Sequence, residues 1–272
     1  MTLPTLAITG STGVLGGLVA RALADLPLRL LVRDPSRAPA VGTAVTSSYS
    51  EVGDSLDGVD LLFMVSAAED AQRLDQHRAF IDAAQAAGVK HIVYTSFFGA
   101  APDATFTLAR DHFHTERYIE AAGIDHTFLR DNLYLDFMDA LTGDDGVIRG
   151  PAGQGRVAAV TRADIARVAE AVLRDPSSHI NRTYELTGPE ALSLDEVAAI
   201  LTDVRGTPVT FHNESLDEAY ASRAVWGAPD WQVDAWVSTY TAIASGELAR
   251  VTDDVERVTG RRSQSLREYL GA

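Results

Sequence analysis

Residues 6–17 run Leu-Ala-Ile-Thr-Gly-Ser-Thr-Gly-Val-Leu-Gly-Gly, and few folds accommodate that stretch. A short apolar run ends in a glycine-rich turn. A helical period starts at once, with Val14, Leu15, Leu18, Val19, Ala22 and Leu23 at helical spacing. Gly10 suits the tight turn, Gly13 lets backbone approach an anion without a Cβ in the way, and Gly16 lets the helix lie close on the strand. Ser11, Thr12, Val14 and Leu15 complete the turn and the first helical turn, whose unpaired N–H groups and positive helix end favour a pyrophosphate. The plain alternative is a strand-to-helix turn with no ligand. The preceding strand, the place near the start of the chain and a second strand at the right distance favour a dinucleotide site.

That second apolar run, Leu26 to Val32, ends in Arg33-Asp34-Pro35-Ser36-Arg37. In a doubly wound sheet its tip faces the adenosine ribose, where an acid suits NAD and an arginine suits the 2′-phosphate of NADP. Arg33 at the tip and Arg37 one helical turn on predict NADP(H) over NAD(H); Asp34 between them argues the other way. A short strand is expected over Val41 to Ser47 and a buried parallel strand over Val59 to Ser66. Ser66 and Ala67 then pass beside a ribose of the cofactor. A helix is expected from about Ala71 to Ala87, with His77 as a partly buried packing residue and Gly88 closing it. The strand Lys90 to Ser96 follows. Ligands of open α/β sheets bind outside the carboxyl ends of the strands, so Thr95, Ser96 and Phe97 are expected beside the nicotinamide.

A helix from about Thr107 to Ala122 and a strand from Asp125 to Arg130 complete a first domain, 1–150. The Gly-, Asp- and Pro-rich stretch Gly143 to Gly155 reads as a boundary. Beyond it a smaller, mostly helical substrate-side portion, 151–272, is expected, with segments around 156–187 free to return to the first domain. It holds a strand over Arg156 to Val160, a helix over Thr161 to Leu173 and a strand over Arg182 to Leu186. A helix over Ser193 to Val204 follows, with Ser193 and Glu196 as a capping box, then a strand over Val209 to Phe211. The fold class is α/β, a Rossmann-type doubly wound parallel sheet with that C-terminal portion.

The formal charge of −15 argues against nucleic acid as a partner, since no basic stripe is present. The chain has no cysteine, which removes disulfides, thiolate metal sites and cysteine nucleophiles. Its seven histidines show no ligand spacing, so no metal is expected. No apolar run is long enough for a membrane helix, and Met1 to Pro4 lead straight into a strand without a signal peptide. A cytoplasmic location is therefore expected. The oligomeric state is open, a homodimer included.

Read together, these pieces resemble the NmrA-like branch of the atypical short-chain dehydrogenase/reductases, and within it the NAD(P)H:quinone oxidoreductase type 2 and triphenylmethane reductase group. The matching pieces are the turn from Thr9 to Gly16, Leu31 to Pro35, Tyr94-Thr95-Ser96 and His112-x-x-Thr115-Glu116. Asp164-Ile165-Ala166, Tyr184 to Glu190 and Val258 to Arg261 extend the likeness over nearly the whole chain. Many members of the wider superfamily protonate a carbonyl with a Tyr-x-x-x-Lys pair; here the corresponding place reads Leu108-x-x-x-His112. That absence fits a quinone, whose reduced oxyanion is resonance-stabilised and needs little help from a protein acid. His112 is the candidate catalytic residue, bonding a ribose or an acceptor oxygen; pairing with Glu116 one helical turn away is the structural alternative. Phe97, Asn132, Tyr134 and Phe137 are expected to border a small-molecule acceptor. The resemblance implies NADPH-dependent hydride transfer to a quinone-like or other conjugated acceptor, without flavin. The rival is a non-catalytic NAD(P)-sensing regulator of NmrA type with a protein partner. A nucleotide-sugar epimerase or lyase comes third, because the tyrosine is missing.

Overall fold

The computed structural model describes residues 5–271; Met1 to Pro4, over which the sequence argued against a signal peptide, lie outside them. The central sheet is seven-stranded and parallel, built from β1 (Leu6–Thr9), β2 (Leu28–Val32), β3 (Thr43–Thr46), β4 (Leu61–Met64), β5 (His91–Phe97), β6 (Asp125–Asp131) and β9 (Arg182–Leu186). Its order is β3-β2-β1-β4-β5-β6-β9, so the winding reverses between β1 and β4. Every residue of β1, β4 and β5 is buried, which is why these strands read as near-continuous apolar runs. Helices α1 (Val14–Ala22), α2 (Arg73–Ala86), α3 (Thr107–Ala121) and α4 (Arg162–Arg174) flank the sheet. Phe80 and Ile81 of α2 and Ile119 of α3 pack with Ala7, Leu62, Met64, Ile92, Tyr94 and Phe128. Each such aliphatic or aromatic side chain taken fully out of water contributes about 1.5–3 kcal/mol.

The chain forms two compact units and changes from one to the other several times. Among the described residues, the first comprises 5–96, 111–130 and 162–184; the second comprises 97–110, 131–161 and 185–271. The segment 162–184 completes the first unit. Its helix α4 packs on α1, and Arg174 bridges to Asp25 at 2.9 Å while donating to the Ala22 carbonyl.

The second unit holds two small sheets. One pairs β8 (Arg156–Val157) antiparallel with β10 (Leu192–Ser193), and the other pairs β7 (Val147–Gly150) parallel with β11 (Thr210–Asn213). Helices α5 (Leu194–Arg205), α6 (Leu216–Arg223), α7 (Asp230–Ala244), α8 (Asp254–Thr259) and α9 (Leu266–Tyr269) make up the rest. The expected capping box at Ser193 and Glu196 opens α5. Strand β7 lies inside the stretch that reads from sequence as a linker, because its glycines serve packing. A Cβ on Gly150 would sit 2.1 Å from the Tyr240 ring, and one on Gly155 would sit 2.0 Å from the Ile243 carbonyl.

Candidate functional site

Gly10 takes φ +63°, a left-handed conformation open to glycine at little cost, and its N–H-bonded turn closes through Gly13 N–H to the Gly10 carbonyl at 2.9 Å. A Cβ on Gly16 would fall 2.4 Å from that same carbonyl, so only glycine lets α1 start this close to the turn. Gly13 is the N-cap of α1 and supplies no side-chain cap, which leaves the first N–H groups of the helix to an incoming anion. Over this turn lies a cavity of about 420 Å³, within the range of small-molecule sites. Of the residues expected at the cofactor, Gly10, Thr12, Arg33, Ser66 and Ala67 line it. Val14 is half exposed, whereas Ser11, Leu15 and Gly16 are buried and offer backbone only from within the turn and helix.

Arg33 stands on the cavity wall and makes no hydrogen bond or ion pair among the described residues. Asp34, the residue that argued for NAD, is turned away from it. Its Oδ1 accepts from the Ser36 N–H at 3.0 Å and the Ser36 hydroxyl at 2.7 Å, capping the short turn Pro35–Arg37. Those bonds hold its carboxyl below the usual carboxylate range. Arg37 is exposed on that turn and does not line the cavity.

The carboxyl ends of β4 and β5 carry a buried polar layer. Thr95 Oγ1 accepts from the Ser66 N–H at 2.8 Å, tying the end of β4 to β5. Ser96 donates to Glu116 Oε1 at 2.6 Å, and Glu116 holds Arg130 in a two-pronged pair at 2.8 and 2.6 Å. Both hydroxyls expected at the nicotinamide thus engage the protein itself. Glu116 being so occupied, His112 does not pair with it. The His112 ring sits between Arg73 Nη2 at 3.0 Å from Nε2 and the Tyr94 hydroxyl at 3.0 Å from Nδ1. Burial first, then the charge of Arg73, push its pKa well below the ordinary 6.5, so the ring is neutral at pH 7 and carries no proton to give as an imidazolium.

Two further groups of residues were not singled out from the sequence. Ser47 to Ser50, just past β3, line the cavity, and Tyr49 donates its hydroxyl proton to the Val65 carbonyl while meeting Thr9 Oγ1 at 3.0 Å. The rule that ligands sit past strand ends points to them equally. His77, expected as packing, is fully buried and hydrogen-bonded to the Ala67 N–H at 2.9 Å.

In the second unit, Phe97, Phe98, Phe106, Ala109 and Leu248 enclose a cavity of about 230 Å³, with Asp103 and Glu247 also on its lining. The Phe97 and Phe106 rings lie 4.8 Å apart. Asn132 is placed in the interior of this unit. Its amide donates to the Leu248 carbonyl at 3.1 Å and its oxygen accepts from the Leu133 N–H at 2.7 Å, so it ties a turn together. Tyr134 stacks on Phe137 with centroids 6.1 Å apart, and Phe137 is half exposed.

Among the described residues, no group of His, Asp and Glu is placed to hold a metal ion, and no helix is long and apolar enough to cross a membrane. Comparison with known proteins gives a consistent result. The NAD(P)H-binding family matches residues 10–176. Quinone oxidoreductase 2 of Escherichia coli (strain K12) is 34% identical over 97% of each chain, and the NAD(P)H azoreductase of Xenophilus azovorans is 32% identical over 97% of this chain and 96% of its own. Among solved structures, the NADPH-dependent quinone oxidoreductase of Escherichia coli complexed with NADPH superposes with a TM-score of 0.90, at 33% identity, covering 98% of this chain and 99% of that one. The Citrobacter sp. triphenylmethane reductase complexed with NADP(H) gives 0.85 at 31% identity, over 97% and 98%.

Proposed function

The chain belongs to the NAD(P)H-binding, NmrA-like family, and we propose that it works as an NAD(P)H-dependent reductase of a quinone-like or similarly flat, conjugated small molecule, with NADPH preferred to NADH. One observation carries the reading: the uncapped start of α1 opens, through a turn that only glycine can make, onto a cavity whose wall bears Arg33 without an ion-pair partner among the described residues. The residues present fit the cofactor. Gly10, Thr12 and Gly13 with the first turn of α1 would hold the pyrophosphate, Arg33 the 2′-phosphate, and the Ser66-Ala67 backbone a ribose. When bound, the nicotinamide supplies the hydride. Ser96 and Thr95 act from beneath, by fixing the ends of β4 and β5. His112 serves as part of that support and does not deliver the proton. The aromatic hollow of Phe97, Phe98 and Phe106 suits a flat, apolar acceptor. A quinone so reduced takes its proton from water, since the oxyanion formed is delocalised.

The test is NADPH oxidation, followed by absorbance, against a panel of quinones and conjugated dyes, with Arg33→Ala alongside. Loss of charge-assisted bonds to a phosphate is expected to weaken NADPH about tenfold or more relative to NADH. An unchanged NADPH/NADH affinity ratio would sink the assignment of Arg33. Tight dinucleotide binding without turnover of any acceptor would overturn the reductase and favour a sensor that binds a protein partner.

A further inference from the structure

Strand β4 ends at Met64, and the chain that follows it along the cavity has no neighbouring strand to pair with at Ala67. Side chains take over. The Ala67 N–H donates to His77 Nε2 at 2.9 Å, and the Ala67 carbonyl accepts from Arg73 Nε at 2.9 Å. Arg73 and His77 are four residues apart near the start of α2, so one helix face presents both. Each is almost wholly inside, at 4% and 0% exposure.

The bonding fixes the state of each group. To accept at Nε2, His77 must carry its proton on Nδ1; Thr115 Oγ1, 2.9 Å away, accepts that proton and passes its own to the Asp111 carbonyl at 2.7 Å. Arg73 has only donors. Its Nη1 meets the Asp111 carboxylate at 3.3 Å, and its Nη2 faces His112 Nε2 at 3.0 Å, which therefore accepts. His112 then donates from Nδ1 to the Tyr94 hydroxyl at 3.0 Å. Burial, and next the charge of Arg73, bring His77 down to about 3, so it keeps its free Nε2 lone pair at any ordinary pH. Removing a guanidinium from water is costly, and leucine or methionine would fill the same space without that cost. What an apolar pair would not do is grip the N–H and the carbonyl of one residue on the cavity wall.

We propose that Arg73 and His77 are positioning residues for the dinucleotide, clamping the Ala67 residue by its N–H and its carbonyl so that the wall the cofactor meets is set before it binds. The proposal rests on the reading of the cavity as a dinucleotide site. Pre-ordering of this kind shows mainly in cofactor affinity, because the free protein no longer has to order the loop on binding.

NADPH is titrated into the full-length protein, His77→Ala, His77→Gln and His77→Asn, with binding read by nucleotide fluorescence. Amide hydrogen exchange of the 64–70 segment is measured without nucleotide, and kcat and KM are taken with a reducible quinone. The oxygen of glutamine reaches the place of Nε2; that of asparagine falls one carbon short. His77→Ala is expected to raise the NADPH Kd about tenfold, the worth of one lost buried hydrogen bond, and to speed exchange at Ala67. The kcat at saturating NADPH should stay within about twofold, since the group lost acts on binding. Glutamine should restore Kd and protection, and asparagine neither. Equal losses of melting temperature in all three variants with an unchanged Kd would overturn the proposal, as would glutamine and asparagine behaving alike. Wild-type protein that binds neither NADPH nor NADH overturns the cavity reading and the proposal together. Wild-type binding matched by His77→Ala overturns the proposal alone.

Discussion

Lowering the pH from 7.5 to 5.0 is expected to weaken the first unit through three interior histidines. His77 and His112 lie in the polar layer beneath the cavity, and His91 Nε2 meets Thr127 Oγ1 at 2.9 Å on β5. Burial is the leading cause in each case, holding His77 at about 3, His91 at about 4 and His112 well below the ordinary range. The folded pKa is depressed, so the unfolded chain binds more protons below about pH 6.5 and stability is lost as pH falls through that value. Each such histidine then removes about 1.4 kcal/mol per pH unit, or about 2 kcal/mol at pH 5. His77 and His91 together remove about 4 kcal/mol, with His112 acting in the same direction, set against a total stability of about 5–15 kcal/mol for a typical domain.

Carboxylates act outside this window or against it. Asp145 and Glu268, each held down to about 2 by an arginine partner, matter only once unfolded carboxylates begin to protonate near pH 4. Asp131, in the second unit, is pushed well up by burial, so its unit gains stability as the pH drops. The effect is therefore local. Thermal melts by circular dichroism at pH 7.5 and 5.0, at one ionic strength, should show a fall of at least about 8 °C, at about 2 °C per kcal/mol for a chain this size. Hydrogen exchange of β4 reports the first unit alone. His112→Gln should reduce the acid loss, whatever it does at pH 7.5. Melts that coincide at the two pH values, or an acid loss that the variant leaves intact, would refute the account of these imidazoles as neutral and buried.

Gly16→Ala forces a Cβ to 2.4 Å from the Gly10 carbonyl, whereas Gly13→Ala meets the same atom at 3.3 Å. The first should cost about 1–3 kcal/mol and most of the NADPH affinity, and the second clearly less on both counts, by melting and nucleotide titration. Glu116→Gln leaves the Arg130 guanidinium without its carboxylate and should cost about 3 kcal/mol in urea unfolding. A smaller loss on adding Arg130→Met would confirm that the stranded charge is the cause. Asp103 and Glu247 on the aromatic hollow predict that a cationic acceptor is reduced at a higher kcat/KM than an anionic one of the same shape. Asp103→Asn and added salt should each narrow that gap, in steady-state assays with matched dyes.

The sheet was legible because its strands are buried on both faces and its first turn tolerates only glycine. Each of the seven strands of the central sheet falls on a run read from periodicity or composition. The line between units was harder to read, since it depends on where a strand's last residue packs. Ser96 and Phe97 are neighbours in β5, yet they belong to different units. The stretch from Gly143 to Gly155 misled for a related reason: composition cannot tell a glycine needed for a turn from one needed where Tyr240 and Ile243 press on the backbone. The place of Arg33 on the cavity wall was legible because the tip of a parallel strand lies on the side of the sheet where ligands bind. Arg73 and His77 were not, because a histidine on a helix face looks the same whether it packs or accepts one particular peptide N–H.

The inward turn of the polar groups also bears on what this protein can reduce. Tyr94 and Tyr49 are the tyrosines nearest the strand ends that carry the site, and burial raises the pKa of both. Tyr49 gives its proton to the Val65 carbonyl, and Tyr94 faces His112 within the layer. His112 is neutral and donates to Tyr94 rather than outward, while Arg73 cannot lose a proton at all. Asp131, its pKa pushed well up by burial, is closed off inside the second unit. These side chains, which ordinarily steady a growing alkoxide, are thus turned into the fold. An acceptor that must be protonated as it is reduced, such as an isolated ketone, gains little here. One that spreads the incoming charge over its own conjugated system has no need of such a group.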